Sequence, residues 1–282
     1  LYSDYKREAY EEWHHGRIVN AINKLTQHIN TNPYDGEAML SLGLLFLQNY
    51  QFEASCKQFF NILKINPYDQ SAREYLTLYH HRIREYNILK EQNYLIITKS
   101  DHDIRELINK SIKYISQSYK VEFPPCVIFH GFRSQNAAYT YGRPIHKAIH
   151  FRDDVTENQV LHELAHVFFE HLFLVFAEGM AVYIEKSFFG DAKNRIPDYD
   201  FLLSVYKESF FHHTHFYTHY SKSYNESFFF LISLIKEYGF DTIKTFYERT
   251  RGMVLFSQID SVFQEIFEKN MKNYLLTLRG SK

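Results

Sequence analysis

Asn32-Pro33-Tyr34-Asp35 recurs as Asn66-Pro67-Tyr68-Asp69, an offset of 34 residues. No other feature constrains the fold of this chain as much. A fixed period of that size marks a stacked array, in which each unit is one supersecondary element too small to bury its own apolar face. Each proline ends one helix, and the aspartate two residues on can N-cap the next. Gly43 and Ser55 put small residues where paired helices would touch. Gly (10) and Pro (6) are scarce in 282 residues, so tight hairpins are few and helices should dominate.

Between the two copies run Leu42-Gly43, Phe46 and Phe59, closing at Pro67. This spacing resembles the tetratricopeptide repeat. Ala9, Ala21, Leu25 and Pro33 fall on the same grid upstream, and Leu76 alone continues it downstream. The resemblance implies an arm of helical hairpins over residues 1–92. Its concave face would dock a peptide, either a partner or the substrate; the competing reading is a spacer or oligomerisation arm. A long helix from about Ser71 to Lys90 is expected to close the array.

Residues 93–282 read as a second domain. Tyr94–Thr98, 126–129 and 147–151 are short β-type runs. Asp101 or Asp103 can cap a helix to about Tyr119, and residues 133–143 read as a loop. After Asp154 the pattern is helical, with breaks near 172–174, 190–198, 212–221, 239–241 and 251–254. The fold class is therefore mainly α with a small α+β portion. No glycine-rich loop follows a strand, which excludes a doubly wound nucleotide fold.

His162-Glu163-Leu164-Ala165-His166 is an H-E-x-x-H sequence. Residues four apart share a helix face, so both imidazoles can reach one metal ion. Glu163, one position along, is placed to act as a general base on water. Thr156 can cap this helix with Glu157 behind it. Ala177-Glu178-Gly179-Met180-Ala181 follows on an amphipathic segment, and Glu178 offers the third ligand. Two neutral histidines and one carboxylate leave a coordination position open, as a catalytic zinc requires.

These segments resemble the gluzincin peptidases, in particular peptidase MA-like domains, across residues 93–278. Further matches are Tyr224-Asn225-Glu226-Ser227 before an apolar helix and Glu237-Tyr238-Gly239 at its end. Tyr141-Gly142-Arg143 and Ile149-His150-Phe151 look like the edge strand that lies antiparallel to substrate in that family. The resemblance implies Zn²⁺ on His162, His166 and Glu178, with Glu163 activating water and shuttling its proton. Tyr224, Tyr220 or His219 would support the oxyanion. Eleven residues separate His166 from Glu178, fewer than is usual in the family. A tight turn near 171–174 is therefore expected, with Glu178 in the first turn of its helix. The implied activity is peptide-bond hydrolysis. The alternative is a peptide-binding or scaffold protein with a vestigial zinc site.

Composition narrows the remaining classes. Lys+Arg 32 against Asp+Glu 33 gives a net charge of −1, without the basic field that nucleic acid or an anionic membrane would need. Cys56 and Cys126 make neither a disulfide framework nor a C-x-x-C site and fit a reducing, cytoplasmic compartment. No apolar run is long enough to span a membrane. The chain opens at Leu1, so an upstream segment is expected to have been removed; export with a cleaved signal is the alternative location. Aromatics reach 18%, with 26 Phe and 23 Tyr but one Trp. The stretch from Phe210 to Phe230, with His212, His213, His215 and His219, is expected to flank the site rather than bind a second metal.

Overall fold

The structure is a computed structural model. It describes residues 5–80, 87–91, 93–131, 138–140, 148–169, 171, 173–190, 197–207, 220–251, 253 and 256–280. Helices α1 (Tyr5–His14), α2 (Ile18–Thr31), α3 (Gly36–Gln48), α4 (Phe52–Ile65) and α5 (Gln70–His80) pack as successive hairpins. The repeated aspartates act as the spacing predicts. Asp35 Oδ1 accepts the Ala38 N–H at 2.9 Å, and Asp69 Oδ1 accepts the Ala72 N–H at 2.8 Å. Gly43 is needed for contact: a Cβ there would lie 2.4 Å from the ring of the fully buried Phe59. Helix α1 is tied back by the Trp13 indole N–H, which donates to Gln48 Oε1 at 2.6 Å.

Five strands form one sheet: β1 (Asn87–Lys90), β2 (Tyr94–Thr98), β3 (Cys126–His130), β4 (Ala138–Thr140) and β5 (Ala148–Phe151). Their order is β1-β2-β3-β5-β4. Strands β2, β3 and β5 are parallel, and β1 and β4 are antiparallel edges. Helix α6 (Arg105–Tyr119) carries the chain from β2 to β3, and Asp103 Oδ1 accepts the Arg105 N–H ahead of its first turn.

Three expectations change here. The helix expected to run to Lys90 does not, because 87–90 is β1, with Asn87 opposite Thr98. Strand β2 is buried throughout and needs backbone partners on both sides; the Ile88-Leu89 segment supplies one side. The segment 133–143, expected as a loop, contains β4. Residues 149–151 are not an edge, because β5 lies between β3 and β4. Tyr141, Gly142 and Arg143 lie outside the described residues.

One face of the sheet joins the hairpins. Leu95, Ile97, Val127, Phe129 and Ala148 share a core with Trp13, Leu44, Phe59 and Tyr75. The Tyr75 ring lies 5.0 Å from Phe59 and 5.4 Å from Phe129, centroid to centroid. A short repeat array leaves one apolar end uncovered, and here the sheet caps it. The chain divides into two compact units, 1–110 with 121–160, and 111–120 with 161–282. Hairpins and strands fall together in the first.

The second unit is helical. It holds most of α7 (Glu157–Phe168), then α8 (Leu174–Phe189), α9 (Tyr199–Lys207), α10 (Tyr220–Tyr238), α11 (Phe240–Thr250), α12 (Phe256–Phe267) and α13 (Met271–Gly280). Rings fill its core. Phe176 lies 4.8 Å from Phe246 and 5.9 Å from Phe230, and its carbonyl accepts the buried Tyr247 hydroxyl at 2.6 Å. Gly239, at φ +82°, makes the break between α10 and α11. The architecture is thus mainly α with a small sheet, as expected. Among the described residues no helix is long and apolar enough to cross a membrane.

Candidate metal centre

Local chemistry fixes where α7 begins. Thr156 Oγ1 accepts the Gln159 N–H at 3.4 Å, and Gln159 Oε1 accepts the Thr156 N–H at 2.9 Å. This reciprocal capping box uses Gln159 rather than the neighbouring Glu157. His162 and His166 then stand one turn apart on one face, their ring centroids 5.0 Å apart. Leu161, Leu164, Ala165 and Phe168 are buried and hold the helix down.

The turn into α8 is closed by a residue that motif reading passed over. His171 Nδ1 accepts the Phe173 N–H at 3.1 Å, at the N-cap of α8, where Phe173 has no capping side chain. Burial against Phe176, Phe246 and Tyr247 pushes the His171 imidazole down to about 3, so it stays neutral and keeps that lone pair. With α8 starting at Leu174, Glu178 is its fifth residue. It therefore opens the second turn rather than sitting in the first, because α8 already begins at Leu174, inside the stretch expected to turn.

The two helices converge on Glu178. Its Oε2 lies 3.2 Å from His162 Nε2 and 3.4 Å from His166 Nε2. One ligand atom from each of the three residues falls within 4.8 Å of the others, and among the described residues this is the one such group. Glu178 is buried, and both histidine side chains are 14% exposed. Burial would lower the His162 pKa, but hydrogen bonds to Glu178 and Glu185 overcome it and hold the ring above its usual range. Burial would raise Glu178, but the adjacent His166 and His162 hold its carboxyl well below the usual carboxylate range. Two imidazole nitrogens and one carboxylate oxygen form a donor set that suits a divalent ion such as zinc. A metal ion there would displace the proton that His162 shares with Glu178.

A second carboxylate completes His162. Glu185 Oε2 lies 3.3 Å from His162 Nδ1. A carboxylate on the outer nitrogen fixes the tautomer that presents Nε2 inward and raises its basicity. The signal for Glu185 was present in the sequence: it follows Glu178 by seven residues, two helical turns, on the same face.

The other expected residues are distributed as follows. Glu163 is almost fully buried beside His162, and its charge adds to the pull on that ring. The Tyr224 ring, on α10, stacks on His162 with centroids 6.0 Å apart and planes at 20°. Tyr220 is the first residue of α10, but its side chain lies outside the described set. His219, with His212, His213 and His215, lies outside it as well. The Phe228–Phe230 run is core: Phe228 and Phe230 are buried. No protein-family model matches this chain, and no curated protein matches it either.

Proposed function

We propose that this chain is a zinc-dependent peptidase of gluzincin type, in which His162, His166 and Glu178 hold the ion. The observation that carries this reading is the convergence of His162 Nε2, His166 Nε2 and Glu178 Oε2 next to Glu163. Zinc bound there supplies a Lewis acid for a carbonyl oxygen and makes a nucleophile of water at neutral pH. Glu163 takes the proton of the attacking water on its carboxylate and returns it to the leaving amine. Tyr224 donates its hydroxyl hydrogen to the oxyanion of the tetrahedral carbon, a task for which Tyr220 and His219 are the rivals. Glu185 keeps the His162 proton on Nδ1.

The hairpins are the proposed docking arm for a partner or the substrate. Tyr34 and Tyr68 stand 80% and 83% exposed at equivalent places in the repeat. The test of the enzymatic reading is Glu163→Gln. Hydrolysis of an unfolded protein should be lost while zinc stoichiometry is unchanged. Full hydrolysis in that variant refutes the mechanism. Stoichiometric zinc with no hydrolysis in the native chain would favour the scaffold reading.

A further inference from the structure

Helix α8 carries a glycine directly after its metal-ligand candidate, although glycine is among the poorest helix formers. Its reason lies across the helix interface. A Cβ at Gly179 would stand 2.7 Å from the carbonyl oxygen of Ser227, 3.1 Å from its carbonyl carbon and 3.4 Å from Leu231 Cβ. The first two atoms are backbone inside α10, so they cannot swing aside as a side-chain tip can. The helices would have to part. Among the described residues, α8 and α10 form the most extensive helix pair of their unit.

The α10 side of this seam is equally thin. Ser223 and Ser227 are both buried, and the Ser227 hydroxyl donates back to the Ser223 carbonyl at 2.7 Å. That hydroxyl is satisfied within its own helix, so Ser227 does not hold α8 by a side-chain hydrogen bond. At this point the separation of the helices is set by steric contact. Tyr224 lies one turn before Ser227 on α10, and Glu178 precedes Gly179 on α8. His162, on α7, is tied to α8 through Glu178 at 3.2 Å and Glu185 at 3.3 Å, so its stack with Tyr224 depends on how closely the α8 and α10 backbones approach.

We propose that Gly179 is a positioning residue: its missing side chain sets the α8–α10 distance that places Tyr224 over His162. The placement stands on geometry alone. Its effect on turnover rests on the peptidase reading above.

The test uses the full chain loaded with Co²⁺, with its tyrosine rings isotopically labelled. The Tyr224 signal is assigned by its absence in Tyr224→Phe. In the native chain that ring should carry a paramagnetic shift from the nearby ion. Gly179→Ala should reduce this shift while Co²⁺ affinity changes less than about threefold, since the ligand atoms stay on α7 and α8. Activity on unfolded casein provides a second arm. Gly179→Ala should lower kcat about tenfold with KM unchanged. In the Tyr224→Phe background the same change should cost less than about twofold, because the two effects share one path. Val182→Leu is the milder wedge, adding one methylene where Val182 packs with Phe228 and Ile232 on α10. It should move the Tyr224 shift in the same direction, and it serves if Gly179→Ala does not fold. An unmoved Tyr224 signal in the folded variants overturns the proposal, as do equal losses of kcat in both backgrounds. If the native chain hydrolyses nothing, the peptidase reading fails while the paramagnetic shift still decides the role of Gly179.

Discussion

Replacing Glu185 by glutamine tests whether the outer carboxylate tunes the metal centre. Glutamine keeps the size and still offers an oxygen to the His162 Nδ1–H, so the change removes the charge alone. A charge-assisted hydrogen bond contributes about 1.5–3 kcal/mol. The separation here, 3.3 Å, is long for such a bond, and the Glu185 side chain is 31% exposed. Both facts place the effect at the low end, about 1.4 kcal/mol, which is roughly tenfold in affinity. That also falls at the lower edge of the roughly 10–100-fold losses typical of outer-shell partners of metal-bound histidine. The assay is competition for zinc against a chromogenic chelator near neutral pH, with native and variant chains side by side. The metal-free melting temperature should barely change, since a part-exposed group is involved. Zinc affinity equal to that of the native chain would refute the reasoning and reduce the Glu185–His162 contact to a surface ion pair.

Glu178→Ala should cost far more than Glu185→Gln in the same assay, because it removes a proposed ligand; undiminished zinc would show that a different residue closes the site. Acid should destabilise the fold through two buried imidazoles, since burial pushes His150 and His171 each down to about 3. The unfolded chain takes up those protons near pH 6.5 and the native chain does not. Stability therefore falls as pH falls from about 6.5 towards about 3, by about 1.4 kcal/mol per pH unit per imidazole. Urea melts at pH 6.5 and pH 5 should differ by about 2 kcal/mol less in His171→Gln than in the native chain, and an unchanged difference would contradict the burial argument. Phe59→Ala should cost about 3–5 kcal/mol by denaturant melts, because the fully buried ring fills the space left by Gly43 and stacks on Tyr75.

Motifs whose meaning is local could be read directly. Asp35 and Asp69 cap helices because an N-cap needs only a side-chain oxygen and an N–H three residues on. His162 and His166 share a face because a helix repeats every 3.6 residues. Features that depend on a distant partner were harder. Asn87–Lys90 is as good a helix tail as a strand by its own sequence, and only the unsatisfied edge of β2 makes it a strand. Ile149-His150-Phe151 has the look of an edge strand, yet β4 covers it. The start of α8 depended on His171, whose lone pair is available because aromatic rings from α8 and α11 keep it neutral.

The sequence by itself determined the helical hairpins, the mainly α composition of the second half and the three candidate ligands. Each of these rests on periodicity or on contacts within a few residues. Tertiary structure alone decided that the sheet caps the hairpins, that Glu185 backs His162 and that Tyr224 lies over its ring. The physical reason is the same in each case. Burial and close approach join residues far apart in the chain, and no spacing rule encodes how near Gly179 lets α10 come.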